Sequence, residues 1–90
     1  MTIAEQASAT NRMRRALLAF QTAKIAFLIA RRRFKALPEA EVNQLKATLR
    51  LTATEVDAAF KMFSAAGLVT DDKDQRSITE AQRYLAESKP

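Results

Sequence analysis

Arg50-Leu51-Thr52-Ala53-Thr54-Glu55 is the stretch on which the fold turns. Thr52 and Thr54 are both good helix N-caps, and Glu55, three residues after Thr52, completes a capping box. On this reading Arg50-Leu51-Thr52 is a short break between two helices. Before the break, Pro38 suits a first helical turn, and Glu39 and Glu41 sit at its positive end. Val42, Leu45 and Leu49 then form an inner stripe. After the break, Val56, Ala59, Phe60 and Phe63 form another, and Gly67 ends that helix as a left-handed cap. Leu68-Val69-Thr70 and Arg76-Ser77-Ile78-Thr79 are short β-prone runs around a polar turn, residues 71–75, which predicts a small hairpin. Ser77 or Thr79 then caps a last short helix over residues 80–88, with Ala81, Tyr84 and Leu85 facing inward.

Upstream, residues 1–9 are small and polar and read as a disordered N-terminus. Residues 10–37 read as a basic helical segment, either one helix or two with a break near Gln21-Thr22. Met13, Leu17, Phe20, Phe27 and Phe34 recur at helical spacing, and Leu18, Ile25 and Ile29 along another face. A helix apolar on two faces has to bury both. One face covers the rest of the chain, and a second copy is the simplest cover for the other. The predicted dimer interface is therefore Leu17, Leu18, Phe20, Ile25, Phe27 and Ile29. A helix that breaks and folds back on itself is the alternative.

The order over residues 38–88 is helix, tight turn, helix ending in glycine, polar hairpin, helix. It predicts a mainly α fold: a winged helix-turn-helix with a small two-stranded β-wing, behind a long N-terminal helical segment. Asn43-Gln44-Leu45-Lys46-Ala47-Thr48-Leu49-Arg50-Leu51-Thr52 resembles the second helix and turn of MarR-like regulators. The following residues, 53–63, look like their recognition helix. Ser64-Ala65-Ala66-Gly67-Leu68-Val69 is similar to their entry into the wing, and residues 74–85 resemble the wing's return and the helix after it. The resemblance covers about half of the chain and rests on spacing and apolar placement. It implies a small transcriptional regulator of bacterial or phage type that binds double-stranded DNA as a homodimer. The final helix is shorter than in the family, which shifts dimerisation toward the N-terminal helix.

Composition narrows the function classes. Apolar residues make up 48% of the 90, too many for a disordered chain. With neither cysteine nor histidine, disulfides, thiol chemistry and the usual zinc sites lack their ligands, and the commonest general base is missing. No carboxylates or lysines fall in a catalytic motif. The expectation is a protein that is not an enzyme and has no metal or cofactor. Residues 16–30 are interrupted by Gln21, Thr22 and Lys24 and are followed by Arg31, Arg32 and Arg33. They read as a soluble, cytoplasmic helix with no membrane partner.

Charge is distributed unevenly. Residues 1–37 carry eight basic residues against Glu5, or +7, whereas residues 38–90 carry seven basic and nine acidic residues, or −2. The expected DNA-contacting set is Thr52, Thr54, Glu55, Asp57, Ala58 and Lys61 in the major groove, with Lys46, Arg50, Arg76, Arg31, Arg32, Arg33 and Lys35 on phosphates. The acids Glu55 and Asp57 make that recognition helix a weak binder by itself. Arg31, Arg32, Arg33 and Lys35 read equally as a phosphate grip or as a solvated helix end, and Arg12, Arg14 and Arg15 form a second basic cluster open to the same two readings. The alternative function is a helix-turn-helix fold turned to protein contacts, as in an anti-activator or a phage or plasmid accessory factor.

Overall fold

The computed structural model describes residues 2–88 apart from the Phe34 side chain, so the last member of the expected α1 stripe lies outside the described residues. Its elements are α1 (Ile3–Arg31), a 3-10 turn (Phe34–Ala36), α2 (Glu39–Ala65) and α3 (Asp72–Glu87). Among the described residues there is no strand.

α1 is a single helix that starts at Ile3, so residues 3–9 belong to it; residue 1 lies outside the described residues. Thr2 caps it by accepting the Glu5 amide at 3.1 Å. Its core face is Ala9, Met13, Ala16, Phe20, Ala23, Phe27 and Ala30, in alternating steps of four and three. Small and large residues alternate along it. α2 answers with Val42, Leu45, Leu49, Thr52, Val56, Ala59 and Phe63, in steps of three and four. Two such seams pack as an antiparallel coiled-coil hairpin. The pairing brings Gln6 to the Ala66 carbonyl and Arg12 to Glu55.

The expected break at Arg50-Leu51-Thr52 does not occur. Thr52 Oγ1 donates to the carbonyls of Thr48 (2.9 Å) and Leu49 (3.0 Å), and Thr54 Oγ1 to that of Arg50 (2.9 Å). These are the bonds of threonines inside a helix, not of N-caps. The α2 seam runs through residues 50–54 without losing register, and no glycine or proline lies between 39 and 65. Burial of one continuous face outweighs the local capping signal.

The wing is also absent. Gly67 has φ 76°, as a C′ residue should. The Leu68 amide bonds the Phe63 carbonyl at 3.3 Å and the Gly67 amide that of Ser64 at 2.9 Å, a Schellman motif. Leu68 then packs against the core. Asp71 takes over as an N-cap, accepting the Asp74 amide at 2.7 Å, with Asp72 and Asp74 in the favoured first turn. The residues read as wing tip and return strand are therefore the first turns of α3. Ile78 and Ala81 are fully buried there, which decides helix over strand: the 78–81–85 spacing puts one face on the hairpin. The winged helix-turn-helix expectation is overturned, and only its mainly α character holds.

α3 runs antiparallel to α2, with Gln82 on Asp57 and Arg50 on the Ser88 carbonyl. It touches α1 through Gln21–Ser77 and Lys24–Glu80. The molecule measures 50 × 23 × 22 Å. Its buried core ends at Ala23 on α1 and Leu49 on α2. Beyond them, among the described residues, nothing at 24–48 is fully buried. The turn between α1 and α2 thus forms an exposed tip.

Candidate nucleic-acid interface

The expected recognition helix is the middle of α2, held between α1 and α3. Ala53, Val56 and Ala59 are buried in the core. Glu55 accepts from Arg12 at two atoms, Nε to Oε2 at 2.9 Å and Nη2 to Oε1 at 2.8 Å. The bond from Arg12 holds the Glu55 carboxyl below its ordinary value. Asp57 is likewise lowered, first by Lys61 Nζ at 3.0 Å and then by Gln82 Nε2 at 3.1 Å. Ala58 is half-buried, and the Thr52 and Thr54 hydroxyls bond their own helix. Glu55, Asp57 and Lys61 are thus engaged within the chain.

The expected phosphate contacts divide into three places. Arg50 Nη2 donates to the Ser88 carbonyl at 2.8 Å, tying down the end of α3, and the Lys46 carbonyl accepts the Tyr84 hydroxyl at 3.4 Å. Arg76 lies on α3 and shares a shallow depression with Asp72, Glu80 and Arg83, which offsets its charge. Arg31, Arg32, Arg33 and Lys35 are all exposed at the tip.

Of the second basic cluster, Arg12, Arg14 and Arg15, the chain engages Arg12 and leaves Arg14 and Arg15. Both are exposed on α1. No acidic residue occurs between Glu5 and Glu39. Of the cations in that span, Arg12 pairs with Glu55 and Lys24 with Glu80. Arg14, Arg15, Arg31, Arg32, Arg33 and Lys35 have no ion pair among the described residues. The acid-free span was visible in the sequence; which of its cations stay unpaired depends on how α2 and α3 pack.

The expected dimer residues separate as well. Leu17 and Phe20 are buried in the chain's own core, and Phe27 packs against it. Leu18, Ile25 and Ile29 are 65%, 57% and 63% exposed on the opposite face of α1, and Leu28 is exposed beside them. No group of three acidic residues is placed to hold a metal ion, and no helix is long and apolar enough to cross a membrane, among the described residues.

Compared with protein-family models, curated proteins and solved structures, the chain matches none of them.

Proposed function

We propose that this protein binds the phosphate backbone of double-stranded nucleic acid through the arginines of α1 and its tip, without a base-reading helix. One observation carries the reading: Arg14, Arg15, Arg31, Arg32, Arg33 and Lys35 lie unpaired along one helix and its end. Guanidinium groups pair readily with phosphate oxygens, and cations in no ion pair supply the salt-dependent part of DNA affinity. Arg14 shares a depression with Asp74 and Arg15 one with Glu55, so the tip is the stronger grip. A regulatory role would then come from occupancy and assembly on DNA, with little discrimination between sequences. Fluorescence anisotropy on a 20-base-pair duplex tests this. Binding should weaken steeply as salt rises and should differ little between unrelated sequences. No binding at 50 mM salt, or binding indifferent to Arg31→Ala/Arg32→Ala/Arg33→Ala, overturns it.

The exposed Leu18, Ile25 and Ile29 favour a second reading, a helical module for protein contacts. Crosslinking from position 25 to a different protein, with no DNA binding, is the result that would select it.

A further inference from the structure

We propose that the outer ridge of α1 is the seam of an antiparallel dimer, and that this dimer builds two composite phosphate sites, each from Arg14 and Arg15 of one copy and Arg32 and Arg33 of the other. The inference rests on the nucleic-acid reading and adds its assembly.

The ridge is Leu18, Thr22, Ile25 and Ile29, in steps of four, three and four. Such spacing keeps one face of a helix in line, here the face turned away from the core. It also reads the same in both directions, about a point between residues 23 and 24. Two α1 helices laid antiparallel therefore set Leu18 against the partner's Ile29 and Thr22 against the partner's Ile25. Each contact is repeated by the two-fold axis, as an isologous interface requires.

Exposure marks this ridge: Leu18, Ile25 and Ile29 are 65%, 57% and 63% exposed, an apolar face that no described residue of the chain covers.

Charge selects the orientation. Parallel packing would crowd both copies of Arg31, Arg32, Arg33 and Lys35 at one end. Antiparallel packing spreads the same charge over two ends and places Arg14 and Arg15 beside the partner's Arg32 and Arg33. The two clusters lie about 27 Å apart along the seam, at 1.5 Å per helical residue. That separation spans roughly eight base pairs at 3.4 Å each. Bare, these clusters repel; with phosphates between them they hold. Dimerisation and nucleic-acid binding are therefore coupled, and each strengthens the other.

The chain has no native cysteine, which makes disulfide trapping clean. Leu18→Cys and Ile29→Cys are made separately in the full chain and oxidised alone or mixed, with and without a 20-base-pair duplex. In the proposed register position 18 faces the partner's position 29, whereas 18 and the partner's 18 are offset by about 16 Å along the seam, beyond disulfide reach. The mixture should crosslink, more so with duplex, and each variant alone should not. Crosslinking by either variant alone, or none in the mixture, overturns the seam. In parallel, Ile25→Asp, which alters an exposed side chain, should keep the far-ultraviolet helical signal at 25 °C and lose at least tenfold in duplex affinity. Wild-type binding as a monomer with Ile25→Asp unaffected overturns the dimer while the proposed function stands. A wild-type chain that binds no duplex overturns the composite sites and that function together. Crosslinks to a different protein in place of a second copy overturn the dimer alone.

Discussion

Arg12 of α1 grips Glu55 of α2 through two guanidinium nitrogens, at 2.9 and 2.8 Å, and so pins the hairpin together across its middle. Both side chains are partly exposed, 41% and 46%, so the pair is screened by salt and contributes modestly. Its pH signature is the sharper test. Glu55 and Asp57 both have lowered folded-state values, by hydrogen bonds from Arg12 and from Lys61 and Gln82 respectively. A carboxylate with a depressed folded value stabilises above its unfolded value and loses that contribution as pH falls through the folded one. Stability should be flat near neutral and begin to fall below about pH 4.5, where unfolded carboxylates protonate. Glu55→Gln should lower stability at pH 7 and make the acid limb shallower in urea melts taken across that range. An acid limb unchanged by Glu55→Gln would mean that the pair is not formed in solution.

Proline at position 51 separates one helix from two. Leu51 is 71% exposed, so its side chain contributes little to packing. Its backbone lies inside α2. Leu51→Pro removes a helical hydrogen bond and clashes with the preceding turn, costing about 3 kcal/mol or more. Leu51→Ala, by contrast, should stay within about 0.5 kcal/mol of wild type. A turn at 50–52 would tolerate both. Equilibrium urea unfolding of the two variants decides it.

The helices were legible, but the break at residues 50–52 and the wing, and with them the winged helix-turn-helix, were misread. The helical character of residues 10–31, the cap at Gly67 and the inner stripes on both sides of residue 50 all appear in the sequence. What misled was Thr52, which fits an N-cap and a coiled-coil seam equally well. A capping box is worth about 1 kcal/mol. Continuing one helix from Val42 to Phe63 keeps Leu49, Ala53, Val56, Ala59 and Phe63 buried together and also keeps the backbone hydrogen bonds that two new helix ends at residues 50–52 would leave unmade. Asp71 misled in the same way: it suits a turn, but it also caps α3. For the site, the basic N-terminal half was plain from composition. That Arg12 and Lys24 are neutralised while Arg14 and Arg15 are not depends on Glu55 and Glu80, which lie 43 and 56 residues away.

Ile78 carries the case against a wing. Its run, Arg76-Ser77-Ile78-Thr79, suits a return strand, yet Ile78 is fully buried in α3 against the hairpin. Ile78→Ala should cost about 2–5 kcal/mol, as for other buried isoleucines cut to alanine. Gly67→Ala meets no atom within 4 Å, so its cost comes from the φ of 76° alone, about 1–2 kcal/mol. Loss of α3 packing should appear as a lower unfolding midpoint in both variants. A neutral Ile78→Ala would place residues 72–79 outside the core.

The salt dependence of DNA binding locates the grip. Each phosphate contact released lowers the slope of log K against log salt by about 0.9. Arg31→Ala/Arg32→Ala/Arg33→Ala should therefore flatten the slope by about 2–3 and weaken binding alike on unrelated duplexes. Lys61→Ala should leave the slope unchanged, because Lys61 lies on α2, outside the arginine clusters of α1 and its tip. The same holds for Arg50→Ala, whose guanidinium is held at the end of α3. The contact set expected from the sequence counts Lys61 and Arg50 among the DNA-binding residues, so the contrast tests that part of the set. A slope that falls with Lys61→Ala and stays put in the triple variant would move the binding face from α1 to α2.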